Sequence, residues 1–242
     1  MIPTKVRLIA LSVLTAGLAV AGSRASAQVT QAGIEQARKD SVRRPYTAAD
    51  IEFMSGMISH HAQAVQMAKW AESHNASKGV QIFCGRIATA QTAEIGLMQQ
   101  WLGERRQPVP DADPRGMRMD MGGATHFMAM PGMLTDEQMK QLDAARGTEF
   151  DRLFLTFMVQ HHRGAIQMVE KLFGTPGAGQ DEIVFKFAND VQVDQSTEID
   201  RMMQMLEALD RCLGDSATRR LGDSAMLTRF PLSPDPYALI HR

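Results

Sequence analysis

Aromatic side chains make up only 6% of this 242-residue chain, cysteine occurs twice, and basic residues are not in excess. The formal net charge of −1 leaves no electrostatic footprint for nucleic acid. A Gly-rich phosphate loop and a recognisable nucleophile motif are also missing, so the chain reads as a binding protein rather than an enzyme. Beyond the first 27 residues nothing is long and apolar enough to read as a membrane span. What is abundant is methionine, with 18 residues in a chain whose apolar content is otherwise ample for a core.

At the amino terminus Lys5 and Arg7 precede an apolar run from Leu8 to Ala21 and then Ala25-Ser26-Ala27. This is the order of a signal peptide: a positive region, an apolar region and a small-residue cleavage site. The run falls short of the roughly 20 residues that a bilayer span needs, which favours cleavage between Ala27 and Gln28 over retention as an anchor. The expected location is the periplasm or the exterior. Removing residues 1–27 leaves 23 basic against 27 acidic side chains, a net charge of −4.

The chain repeats itself. Thr47, Asp50, Phe53, Met57, His60, His61, Ala64, Gln66 and Met67 recur 101 residues later as Thr148, Asp151, Phe154, Met158, His161, His162, Ala165, Gln167 and Met168. A second element follows each copy, Gln91-x-x-Glu94-Ile95-x-x-Met98 and Gln195-x-x-Glu198-Ile199-x-x-Met202. Thr47-x-x-Asp50 and Thr148-x-x-Asp151 read as helix-capping signals, and Gly, Pro and Asn punctuate the segments between. The pattern predicts helices near 48–74, 79–102, 149–173 and 181–213, with shorter ones near 30–42 and 136–146. Two helical hairpins with a long connection make an all-α, antiparallel four-helix bundle over residues 47–213. Residues 28–46 form a short helix or linker, 107–134 a Met-rich connection, and 214–242 a loosely ordered tail.

At about 100° per residue, Met54, Met57, His61, Ala64, Val65 and Ala68 share one stripe, and His60 lies beside it at a helix seam. Counting back along the antiparallel partner helices brings Gln91 to Glu94 level with His61, and Gln192 to Gln195 level with His162, with Glu198 one turn on. One layer then collects His, Met, Gln and Glu from four helices. A buried polar group without a partner costs roughly 1–3 kcal/mol, so the imidazoles need acceptors, water or a metal. Imidazole takes several metals, whereas thioethers favour Cu(I), and Met57 and Met158 lie one turn from the imidazoles. Copper, as Cu(I) or Cu(II), is the expected ligand. Gln91, Glu94, Gln195 and Glu198 are candidates for orienting the rings, and the two glutamates could also satisfy them without metal.

Met117, Met119, Met121, Met128, Met130 and Met133 surround His126 in the connection. Two readings stay open for this stretch: a second, exposed Cu(I) site, or a lid folded over the bundle. Cys84 and Cys212 fall near the start of helix two and the end of helix four, which run parallel. Their expected separation of about 30 Å exceeds the roughly 7 Å limit for bridging, so no intramolecular disulfide is predicted.

The doubled Met-x-x-His-His-x-x-Ala-(Val/Ile)-Gln-Met motif, the two Gln-x-x-Glu-Ile-x-x-Met elements and Met130-Pro131-Gly132-Met133-Leu134-Thr135 resemble the domain-of-unknown-function 305 family over roughly residues 46–212. The resemblance implies a ferritin-like bundle, export, and periplasmic copper binding and resistance through Met and His ligands. Carried over to this chain, those ligands are Met57, His60, His61, Met67, Met158, His161, His162 and Met168. The implied partners are the copper ion and a copper-handling protein, without nucleic acid or membrane. A metal-free structural or partner-binding bundle is the alternative. A di-iron oxidoreductase fits less well, because Leu97 and Arg201 stand where Glu94 and Glu198 would need a histidine three residues on.

Overall fold

Among the described residues, four long helices and one short one account for most of the structure, as the periodicity predicts: α1 (Ala48–Ser73), α2 (Lys78–Glu104), α3 (Asp136–Ala144), α4 (Gly147–Gly174) and α5 (Glu182–Met226). The computed structural model describes residues 45–121 and 124–226, so the expected signal segment and the helix near 30–42 lie outside the described residues. Helix α1 packs on α2 and α4 on α5 within the two hairpins, and α1 packs on α4 between them. No described helix is long and apolar enough to cross a membrane.

Two elements differ from the sequence expectation. Helix α5 continues to Met226 instead of stopping at Gly214. One glycine costs a helix interior only about 1 kcal/mol relative to alanine, and no proline follows until Pro231. The Met-rich connection contains regular structure, with β1 (Met117–Met121) antiparallel to β2 (Ala124–Met128). Met117-x-Met119-x-Met121 alternates with a period of two, and Gly122-Gly123 between the strands is a sequence signal for a two-residue hairpin connection. A helix-period scan passes over both features.

The duplicated aspartates also act differently from simple caps. Thr47 and Asp50 do close a capping box at the start of α1, with Asp50 Oδ2 accepting the Thr47 N–H at 2.6 Å. Helix α4 has Arg146 at its N-cap position and no side-chain cap. Asp151 instead accepts the Ser77 N–H at 3.1 Å, just before α2, and Asp50 Oδ1 accepts the Gly179 N–H at 2.7 Å, just before α5. Each repeat's buried aspartate thus ties down the interhelical turn of the other repeat. A second brace joins the end of α2 to the start of α5, where Asp181 accepts from Trp101 Nε1 at 3.0 Å and Arg105 Nη2 at 2.6 Å.

Residues 130–134 form a strap in the groove between α1 and α4, where the two repeats cease to match. Gln63 donates to the carbonyls of Pro114 and Leu134 and accepts the Leu134 N–H at 2.7 Å. Gln160 donates to the Gly132 carbonyl at 3.3 Å. The counterpart of Gln63 in the second repeat is Gly164, which gives the strap room: a Cβ there would stand 2.0 Å from the Pro131 oxygen. Replacing Gly164 with alanine should therefore displace the strap and destabilise the fold by about 1–3 kcal/mol. Gly85, with nothing within 4 Å of a built Cβ, should gain about 0.5–1 kcal/mol from the same change. Urea midpoints of the two variants check the contrast.

Candidate metal centre

The apolar core divides into two clusters, one containing Met67, Phe83, Ile87, Phe154 and Met158, the other Met54, Met57, Met98, Trp101 and Met168. Between them in sequence, on every long helix, come the buried polar residues: His60 and His61 on α1, Gln91 on α2, His161 and His162 on α4, Gln195 on α5. All four histidines have no solvent exposure. The antiparallel hairpins bring these positions to one level because they are equidistant from the turns, which is the sequence spacing made spatial.

Within this layer the two central imidazoles come from different repeats. His60 and His161 face each other with ring centroids 3.8 Å apart, at an interplanar angle of 39°. The outer pair, His61 and His162, meet carboxylates on the partner helix of their own hairpin. Glu94 Oε2 is 2.8 Å from His61 Nε2, off the line of a well-aligned hydrogen bond, and Glu198 Oε2 is 2.7 Å from His162 Nε2. Glu198, one turn beyond the level that simple counting assigns, is thus the residue in contact. His60 Nε2 donates to the strap carbonyl of Pro131 at 3.0 Å.

The hydrogen bonds fix tautomers. A carbonyl only accepts, so the His60 proton sits on Nε2, and the carboxylate assigns His162 the same way. The lone pair of His60 is left on Nδ1; neither that atom nor Nδ1 of His162 has an aligned hydrogen-bond partner, and both ring nitrogens of His161 lack one as well. Gln91 and the Gln195 oxygen are likewise buried without partners. Burial, followed by the proximity of His61, lowers the pKa of His60 to about 3, and burial followed by His60 holds His161 well below its ordinary value. The central rings are therefore neutral and can act as donors to a cation.

On the side of α2 and α5 the layer is rimmed by acid. Glu94 and Glu198 are about a quarter exposed, and burial together with their charges raises the pKa of Asp194. Met57, Met67 and Met158 are fully buried and Met168 nearly so. Met57 and Met168 belong to one core cluster, Met67 and Met158 to the other, so thioethers flank the layer on both sides. Among the described residues, no three His, Cys, Asp or Glu side chains are grouped closely enough to hold a metal by themselves. Cys84 is a buried thiol whose pKa burial pushes up, which keeps it protonated, and Cys212 lies exposed on α5.

The Met-rich connection splits into two parts. Met133 is buried and its sulfur lies 3.2 Å from the Met130 backbone nitrogen, while Met130 packs over Gly56 and lines a small apolar pocket with Phe53 and Met168. These two belong to the strap. Met117, Met119, His126 and Met128 sit on the hairpin, as does Met121. Sequence reasoning misses Gln63, Gln160 and the Pro131 carbonyl. The available signal was the breakdown of the repeat, where Gly56, Ser59 and Gln63 correspond in sequence to Phe157, Gln160 and Gly164.

A histidine held below its ordinary pKa by the fold gains its proton on unfolding, so acid favours the unfolded chain. Stability should be full above pH 6.5 and fall as the pH drops toward 3, by up to about 1.4 kcal/mol per pH unit for each such ring. Unfolding free energies measured across this window should show a shallower slope for His60→Asn than for the unaltered protein.

The Domain of unknown function (DUF305) model matches residues 50–206. No curated protein matches the chain. Among solved structures, a DUF305 protein from Streptomyces coelicolor, described as secreted, is 29% identical with a TM-score of 0.56, covering 67% of this chain and 94% of its own. CopM in its Cu(II)-bound form is 26% identical, with a TM-score of 0.51 over 66% of this chain and 96% of its own. CopM in its Cu(I)-bound form is 25% identical, with a TM-score of 0.50 over 68% and 98%. The matched span runs from the Asp50 brace through both His-His motifs to the second Gln-x-x-Glu-Ile element, and the chain belongs to the DUF305 family.

Proposed function

We propose that this protein is an exported copper-binding protein that sequesters or buffers the ion in the histidine layer of its bundle. The observation behind the reading is the set of four fully buried imidazoles, two held neutral, whose Nδ1 atoms have no aligned hydrogen-bond partner. Leaving such groups unsatisfied costs roughly 1–3 kcal/mol each, a cost that a bound cation would offset. Met57, Met67, Met158 and Met168 supply soft donors on either side, which favours copper over hard cations. The copper-bound CopM structures support the choice of metal. Export is supported by the signal-like amino terminus and by the Streptomyces relative described as secreted.

In this reading His60, His61, His161 and His162 are the nitrogen donors. Glu94 and Glu198 hold the outer rings in orientation, and Gln91 and Gln195 sit at the same level as adaptable polar neighbours. The acidic rim of Glu94, Asp194 and Glu198 raises the local concentration of cations where the layer meets solvent. Release or capture then requires the side chains of the layer to rearrange, because the ring nitrogens are sealed from water.

The contacts of His61 and His162 with glutamate, and of His60 with Pro131, also fit a metal-free polar network that only fixes the register of the four helices. Copper binding separates the two readings. Titration with Cu(I) and Cu(II) should show that Met57→Leu/Met158→Leu, a volume-conserving change, weakens Cu(I) more than Cu(II), and that His61→Ala/His162→Ala weakens both. Unchanged stoichiometry and affinity in both variants would leave the layer as the polar network alone, with any bound copper held elsewhere.

A further inference from the structure

The strand register of the hairpin places a second set of soft donors well apart in sequence from the layer. In an antiparallel pair, residues directly opposite share a face and alternate residues return to it. Met117 pairs with Met128 and Met119 with His126, so three thioethers and one imidazole occupy one face. Arg118 and Phe127 occupy the other, where the Arg115 guanidinium lies 4.0 Å from the Phe127 ring centroid. Directly opposite Cβ atoms lie roughly 4.5–5.5 Å apart and diagonal ones roughly 7–8 Å. Methionine, with three rotatable bonds, can bring sulfurs from such positions to a common point.

Burial does not account for this face. Met119 and Met128 are 38% and 41% exposed, His126 is exposed, and Met117 is half-buried. Core filling, which explains Met54 or Met98, yields little at such positions. The backbone fixes the pairing: Gly116 has φ of +125°, and a Cβ there would stand 2.5 Å from the Met128 carbonyl oxygen. The glycine is thus needed to close the base of the hairpin.

We propose that Met117, Met119, His126 and Met128 form a separate, solvent-accessible site for a soft monovalent cation, Cu(I) or Ag(I), on the face of this hairpin. The site rests on the copper reading of the protein but is independent of the buried layer. Its donor set of thioethers with a single imidazole selects Cu(I) and Ag(I) over Zn(II) and Cu(II). Because three of its four donors, Met119, His126 and Met128, are exposed, it takes up the ion without opening the bundle.

The test compares metal stoichiometry in three forms of the protein: unaltered, the hairpin variant Met119→Leu/His126→Leu/Met128→Leu, and the layer variant His61→Ala/His162→Ala. Anaerobic Cu(I) titration and Ag(I) titration should show the hairpin variant losing one equivalent, with unchanged helical circular dichroism. Methyl-labelled methionine resonances of the hairpin should shift on the first additions of Ag(I) and stay fixed with Zn(II). Gly116→Ala, which removes no donor, should weaken the same equivalent by disturbing the pairing. If the hairpin variant keeps every equivalent, or Zn(II) shifts the same methyls as Ag(I), the proposal is overturned while the layer reading is untouched. If the layer variant loses nothing while the hairpin variant does, the layer reading fails and the hairpin site stands.

Discussion

Four imidazoles, buried without solvent contact at one level of the bundle, constrain the rest of the molecule. Desolvation disfavours charge on the central pair, so His60 and His161 are neutral, and of the two only His60 has an aligned hydrogen-bond partner, on the strap. Glu94 must reach His61, Glu198 must reach His162, and the strap must bring the Pro131 carbonyl to His60. Those three requirements set the axial register of α2 against α1, of α5 against α4, and of the connection against both. The apolar clusters on either side can shift by a rotamer. The layer cannot.

Duplication explains how so demanding a layer is built from short motifs. Each repeat contributes a His-His pair and a distant carboxylate, and the two halves meet through the His60–His161 contact and the crossed aspartate braces, Asp50 to Gly179 and Asp151 to Ser77. Symmetry breaks where the strap crosses the bundle. Gly56 and Gln63 in one repeat, with Gln160 and Gly164 in the other, contact the strap, whereas their counterparts by repeat position are Phe157, Gly164, Ser59 and Gln63. One end of the layer is therefore covered by backbone, and the other opens toward the acidic rim of α2 and α5.

The methionines divide by what surrounds them. Met54, Met57, Met67, Met98, Met158, Met168 and Met202 on the helices are buried and fill the two clusters, whereas Met203 on α5 is exposed. Met130 and Met133 fix the strap. Met119 and Met128 on the hairpin gain little from packing, and the register collects them with Met117 on one face. A thioether can be a filler, a fastener or a ligand, and only its neighbours distinguish these uses.

The sequence by itself determined the helices, their pairing and the residues of the layer. A 3.6-residue period, a 101-residue repeat and antiparallel counting are local or one-dimensional facts that survive folding. It also showed Asp50 and Asp151 as a repeated pair, but read both as caps of their own helices. Tertiary structure decided that their carboxylates reach across to the opposite repeat, that the tilted His60 and His161 rings meet with centroids 3.8 Å apart, and that Glu198 meets His162 a turn beyond the counted level. It also decided that residues 130–134 form a strap and that α5 runs through Gly214 to Met226, whereas the hairpin's signals, Met117-x-Met119-x-Met121 and Gly122-Gly123, were local to the sequence. In each case the deciding partner lies far away in the chain, or the cost of a local signal, such as one glycine in a helix, is too small to overrule its surroundings.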